Sequence, residues 1–135
     1  MMAQKVEHIG IAIKDLSVSI PLFEQLFNTN CYKTETVETE KVNTAFFMQG
    51  STKIELLESL DENGVIAKFI AAKGEGMHHI AFEVENIAQE MERLAAAGFT
   101  ILNPVPKKGA DNKLVCFLHP KTTNGVLIEL CQEIK

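Results

Sequence analysis

Apolar and polar residues alternate along two stretches of the chain and predict two similar units. Residues 6–13 (VEHIGIAI) and 77–84 (MHHIAFEV) each place a histidine ahead of a run with apolar residues at every second position. Successive side chains of a strand point to opposite faces, so each run predicts one apolar face and one face that bears the histidine. The two histidines, His8 and His79, lie 71 residues apart.

A helical pattern follows the first strand, which is predicted over Lys5–Ile13. Asp15 is an N-cap for a helix over Leu16–Asn28, whose apolar residues recur at intervals of three and four. Pro21 requires either a kink or a later start near Ser17 or Ser19. Three strands complete the unit, over Cys31–Glu40, Val42–Met48 and Thr52–Glu58.

The second unit repeats this plan after a short predicted helix over Val65–Lys73. Asn86 caps a helix that stops at Gly98. Three strands are then predicted over Thr100–Asn103, Leu114–His119 and Val126–Cys131. The pattern predicts an α+β chain of two pseudo-symmetric βαβββ modules, with a curved mixed sheet enclosing a cleft. Module one spans about residues 4–60, the linker helix about 61–74, and module two about 75–135 of a single domain.

Composition narrows the class of protein. The 135 residues suffice for one domain with a real core, and the net charge of −5 argues against non-specific binding to nucleic acid. Three cysteines favour a reducing compartment over a disulfide framework. No apolar run approaches the roughly 20 residues of a membrane span, and no signal peptide is evident. We therefore expect a cytoplasmic protein that associates with no membrane.

Each predicted unit also closes on a glutamate within an apolar run, Glu55 in Ile54–Leu56 and Glu129 in Ile128–Leu130. A carboxylate among apolar strand residues is costly to bury without a partner. Two histidines and two glutamates at matching positions of a repeat predict a metal site. Imidazole and carboxylate together suit a divalent ion such as Co, with Ni, Zn or Mn as alternatives. Four protein ligands around an octahedral ion leave two positions for water or substrate.

Three segments resemble a known family. These are residues 74–82 (GEGMHHIAF), 117–121 (FLHPK) and 125–130 (GVLIEL). They resemble the methylmalonyl-CoA epimerase family of the vicinal oxygen chelate superfamily, over residues 6–132. The resemblance implies a metal-dependent isomerase that exchanges the (2R) and (2S) epimers of methylmalonyl-CoA by proton transfer at C2. It also implies the metal ligands His8, Glu55, His79 and Glu129, an acyl-CoA substrate and a homodimer.

The family uses two bases, one of which is the last metal ligand, here Glu129. The other is a glutamate shortly before the third strand, where this chain has Thr39. A one-residue shift of the loop would deliver Glu40, which we predict as the second base. Glu38 on the other side of Thr39, or neither residue, remains the alternative.

Other functions fit parts of the pattern. A lactoylglutathione lyase (glyoxalase) uses the same ligand set, but the HPK and GVLIEL segments argue against it. A dioxygenase of the superfamily would use three protein ligands. A non-enzymatic small-molecule binding protein of this fold would have lost ligands, whereas all four positions are filled here.

Overall fold

The computed structural model describes residues 5–135, which form two compact units. One unit comprises residues 9–78, and the other comprises residues 5–8 together with residues 79–135. The first strand contributes to both units because the division falls between His8 and Ile9. The helices and strands are, in chain order, β1 Lys5–Ala12, α1 Leu16–Phe27, β2 Lys33–Val37, β3 Val42–Gln49, β4 Thr52–Ser59, α2 Val65–Lys73, β5 Gly76–Glu83, α3 Ile87–Ala96, β6 Lys107–Lys108, β7 Lys113–Leu118 and β8 Ile128–Glu133.

In the unit of residues 9–78, the strands follow the order β2-β3-β4-β1 and α1 packs on one face. Asp15 caps α1 as predicted, since its carboxylate accepts a hydrogen bond from the Ser17 backbone N–H. The helix continues through the exposed Pro21 and ends at Phe27, with Asn28 in the left-handed conformation. Its apolar stripe buries Ala45, Phe47, Leu56 and Ile13 beneath it.

In the other unit, the strand order is β1-β5-β8-β7-β6. β5 pairs with β8 in parallel, whereas β7 pairs with β8 and with β6 in antiparallel fashion. Asn86 caps α3 through its side chain, which accepts from the Gln89 backbone N–H. The helix buries Ile87, Met91 and Leu94 against the apolar face of β7 and β8. The sheet of this unit is therefore mixed, as predicted.

The predicted strand over Thr100–Asn103 is wrong. Only Ile101 makes a bridge there, to Leu118, and the short strand β6 lies later, at Lys107–Lys108. Pro104 and Pro106 explain the shift, because a proline has no backbone N–H to donate to a strand ladder. Backbone hydrogen bonds join Leu102 to Phe117 and Thr100 to His119. The Asn103 side chain extends this pairing, accepting from the Phe117 backbone N–H and donating to the Val115 carbonyl.

Other predicted boundaries shift by a few residues. The strand predicted over Cys31–Glu40 is confined to Lys33–Val37, and a turn follows in which the Glu40 N–H donates to the Val37 carbonyl. The last strand begins at Ile128 rather than Val126, because Val126 is hydrogen-bonded to Thr123 in the preceding turn. Residue 4, the predicted start of module one, lies outside the described residues.

The predicted order of elements in two βαβββ modules is confirmed: β1-α1-β2-β3-β4 comes first and β5-α3-β6-β7-β8 comes second, with α2 between them. The predicted division of the domain at about residues 60 and 75 stays a prediction.

None of the helices within residues 5–135 is long and apolar enough to cross a bilayer.

Truncating Phe47 to alanine should strongly destabilise the protein. Phe47 is fully buried, and its ring lies 5.7 Å from Phe27 and 6.4 Å from Phe23, between centroids. Removing such a ring leaves a cavity and costs about 3–5 kcal/mol of unfolding free energy, measurable by urea denaturation. The control Leu22→Ala removes an apolar side chain that is 59% exposed, and should change stability by no more than about 0.5 kcal/mol. Equal effects of the two substitutions would contradict this description of the core.

Candidate metal centre

Two histidines of neighbouring strands face each other in one unit. His8 lies on β1 and His79 on β5, and both side chains are buried. Their rings are 5.1 Å apart between centroids and nearly perpendicular, and the two Nε2 atoms are 3.0 Å apart. The sequence repeat therefore brings its two predicted histidines together through their distal nitrogens.

Glu129 joins this pair from β8. The parallel register places Glu129 beside Ala81, and residues two apart on a strand share a face, so His79 and Glu129 lie on the same side of the sheet. Glu129 Oε1 is 3.0 Å from His79 Nε2 and 3.4 Å from His8 Nε2. Three ligand atoms on three strands thus form a small triangle with sides of 3.0–3.4 Å.

The size of this triangle fits a divalent transition-metal ion. Bonds of about 2.0–2.1 Å to imidazole and carboxylate place neighbouring ligands about 3.0 Å apart at right angles and about 3.4 Å apart at the tetrahedral angle. The donor set of two imidazoles and a carboxylate is one that Co, Ni, Zn and Mn accept. His8, His79 and Glu129 could therefore hold one ion.

A further carboxylate, that of Glu7, is hydrogen-bonded to the other nitrogen of the His8 ring. Glu7 Oε1 lies 2.7 Å from His8 Nδ1, the ring nitrogen opposite the one that faces His79. Glu7 is only 2% exposed. The Cys131 sulfur is also close, since Cys131, Glu7 and His8 each offer one ligand atom within 4.8 Å of the others.

The electrostatic environment keeps Glu129 ionised. Burial by itself would raise the pKa of its carboxyl group. When the two rings are protonated, the charge of His8, the hydrogen bonds from His79 and His8 and the charge of His79 together outweigh burial, so that the pKa of Glu129 lies below its ordinary value. In the neighbouring Cys116, burial and then the charge of Glu129 raise the pKa of the thiol to about 12. Cys116 consequently stays a neutral thiol in the core.

The other predicted site residues lie in the unit of residues 9–78. Glu55 is on β4 opposite Phe46 and is 3% exposed. Glu40 lies in the turn between β2 and β3, and its Oε1 atom is shielded from solvent. Glu38 and Thr39 in the same turn are exposed. The roles of Glu55 and Glu40 stay predictions.

The remaining histidines have local contacts of their own. His78 packs edge-on against Phe69 on α2, with ring centroids 4.9 Å apart. His119 Nδ1 accepts a hydrogen bond from the Lys121 backbone N–H and caps a turn of 3₁₀ helix over Pro120–Thr122.

Sequence reasoning missed the contacts of Glu7 and Cys131. Adjacent strand residues normally point to opposite faces, so Glu7 gave no reason to expect contact with His8. An acidic residue directly before a predicted histidine ligand was the available signal, because such ligands usually have a carboxylate or carbonyl partner.

Comparison with known proteins assigns the chain to a family. Residues 7–117 match the glyoxalase/bleomycin resistance protein/dioxygenase superfamily. The chain belongs to this superfamily. The resemblance inferred from the sequence is thus confirmed, and so is the fold class.

Members of the superfamily with similar sequences include epimerases. The ethylmalonyl-CoA/methylmalonyl-CoA epimerase of Cereibacter sphaeroides is 37% identical over 97% of this chain and 99% of that protein. The uncharacterized Bacillus subtilis protein YqjC is also 37% identical, over 95% of this chain and 91% of its own. A solved structure of Streptomyces coelicolor methylmalonyl-CoA epimerase with 2-nitronate-propionyl-CoA is 30% identical and has a TM-score of 0.92, covering 98% of this chain and 96% of that one. These relatives confirm the prediction of an isomerase of the epimerase class.

The unfolding free energy of chelator-treated protein should fall in acid because Glu129 loses its charge. A carboxyl whose pKa is lower in the folded than in the unfolded state stabilises the fold above the unfolded value of about 4.3. That contribution is lost as pH falls through this value towards the folded pKa. Glu129→Gln removes it, so the fall in unfolding free energy from pH 6 to pH 3 should be shallower than in the wild type.

Urea denaturation at a series of pH values measures this slope. The control Glu92→Gln changes an exposed carboxyl on α3 and should leave the profile as in the wild type. An unchanged slope in Glu129→Gln would show that the carboxyl is not held in its charged form.

Proposed function

We propose that the chain interconverts (2R)- and (2S)-methylmalonyl-CoA by moving the proton at C2. The observation that carries the proposal is the buried cluster of His8, His79 and Glu129, in a chain whose relatives include methylmalonyl-CoA epimerases. An epimerase must remove a proton α to a thioester carbonyl and return it on the opposite face. The reaction therefore needs stabilisation of an enolate and a base on each side.

The first base is assigned to Glu129. Its carboxylate is ionised at neutral pH, which is the form that can accept a proton, and it lies beside both histidines. Oε1 is the oxygen beside the two imidazoles, so we assign the proton transfer to Oε2. The two imidazoles orient the carboxylate, and burial excludes water that would compete for the proton.

A divalent ion, with cobalt as the first choice, would supply Lewis-acid stabilisation of the negative charge that develops on the substrate oxygens. His8, His79 and Glu129 would hold it, and Glu55 is proposed as the fourth ligand. The repeat supports this role, because Glu55 occupies in the first module the position that Glu129 occupies in the second, and its side chain is likewise buried.

The second base is assigned to Glu40. Its Oε1 atom is shielded from solvent, whereas Glu38 in the same turn is exposed. This difference supports Glu40 over Glu38. We further propose that the protein acts in the cytoplasm as a homodimer.

Solvent deuterium should enter C2 of the substrate only when the metal is present. The cobalt-loaded protein should incorporate deuterium into both (2R)- and (2S)-methylmalonyl-CoA, as followed by mass spectrometry. Chelation should abolish the exchange and cobalt should restore it. The function would be overturned if no exchange occurred and the hemithioacetal of methylglyoxal and glutathione was turned over instead, which would identify a glyoxalase.

Removing one of two bases should separate exchange from epimerisation. Glu40→Gln should lower epimerisation by about 10²–10⁴-fold, the usual contribution of a positioned base. Exchange should persist from the one epimer whose proton faces Glu129 and disappear from the other. Glu38→Gln makes the same chemical change two residues away and should leave both rates unchanged. If Glu40→Gln behaved as this control does, Glu40 would not be the second base.

A further inference from the structure

The hydrogen bond between Glu7 and His8 determines which nitrogen of His8 is available to a cation. An ionised carboxylate can only accept hydrogen bonds. The separation of 2.7 Å between Glu7 Oε1 and His8 Nδ1 therefore requires a proton on Nδ1. In the neutral ring the lone pair then resides on Nε2, the atom 3.0 Å from His79 Nε2 and 3.4 Å from Glu129 Oε1.

The same hydrogen bond fixes the plane of the ring. Both Glu7 and His8 are buried, at 2% and 5% exposure, so water competes little for either partner. A ring anchored at Nδ1 has its Nε2 directed away from the anchor. Here that direction leads to the other two candidate ligands.

Glu7 could alternatively be a ligand itself, in a group with His8 and Cys131. The distances argue against this arrangement. Two ligand atoms of one ion with bonds of about 2.0–2.1 Å lie about 3.0 Å apart or more, whereas Glu7 Oε1 and His8 Nδ1 are separated by 2.7 Å. The Cys131 thiol is engaged elsewhere, since its sulfur donates a hydrogen bond to the Phe82 carbonyl oxygen at 3.5 Å.

We propose that Glu7 is a positioning residue that holds His8 in its Nδ1–H form and aims Nε2 at the bound cation. The inference deepens the proposed function, since it rests on His8 as a metal ligand. The negative charge of Glu7 also makes the His8 imidazole a stronger electron donor to that cation. Such partners usually affect metal affinity by about 10–100-fold.

Cobalt binding by the chelator-treated full-length protein tests this role without reference to catalysis. Glu7→Gln keeps the size of the side chain but removes its charge, and should raise the dissociation constant for cobalt by about 10–100-fold in calorimetric titrations. The matched control is Glu90→Gln. Glu90 is equally buried, at 3% exposure, but pairs with Arg93, so its substitution should leave cobalt affinity unchanged even where it lowers stability.

Nitrogen-15 NMR of the histidine rings provides a readout that a merely structural role would not change. Metal-free wild-type protein should show His8 in the Nδ1–H form when the ring is neutral, and Glu7→Gln should increase the share of the Nε2–H form. Because the first measurement uses the wild-type protein, it tests the proposed role of Glu7 even if the Glu7→Gln variant fails to fold.

The possible outcomes separate this inference from the proposed function. Wild-type affinity for cobalt in Glu7→Gln, or an Nε2–H ring in the wild type, would overturn the role of Glu7. A thiolate-to-cobalt charge-transfer band that disappears in Cys131→Ser would also overturn it, by showing the alternative ligand group. If cobalt binds as predicted and methylmalonyl-CoA does not exchange, the proposed function fails while the role of Glu7 stands.

Discussion

The candidate site depends on one constraint: ionisable groups that are buried away from water must be paired within the protein or with a bound ion. Burying an unpaired carboxylate is expensive, so each one in the interior must find a proton donor or a cation. Glu129 meets this requirement through two imidazoles and Glu7 through one. Because these partners come from β1, β5 and β8, the site can form only when the three strands are aligned in register.

Much of this arrangement could be predicted because strand geometry converts sequence spacing into direction. Alternation placed His8 and His79 on faces opposite to their apolar neighbours, and the repeat indicated that the two faces were equivalent. The structure brings both together with Glu129. The starts of the helices were predictable from their capping residues, because the side chains of Asp15 and Asn86 accept hydrogen bonds from the first backbone N–H groups.

The sequence was less informative where a side chain, and not the backbone, makes the hydrogen bonds between neighbouring segments. Between α3 and β7, the backbone pairing ends before two prolines, and the Asn103 side chain makes the hydrogen bonds that the next strand residues would make. An alternating pattern cannot show such a substitution. The same limit hid Glu7, whose contact with its immediate neighbour His8 depends on side-chain conformation and not on the face of the strand.

Three glutamates of one unit illustrate how the partner, rather than burial, decides what a carboxylate can do. Glu7, Glu90 and Glu129 are all buried to a similar degree, at 2%, 3% and 5% exposure. Glu90 is paired with Arg93, a permanent cation, and is therefore neutralised within the protein. Glu7 and Glu129 instead face imidazoles, which are neutral or charged according to conditions and which leave a lone pair for a metal when neutral. A carboxylate that faces a neutral imidazole keeps its negative charge for an external cation, whereas one paired with arginine does not. The strands that carry Glu7 and Glu129 therefore have the electrostatics of a metal centre, and α3 does not.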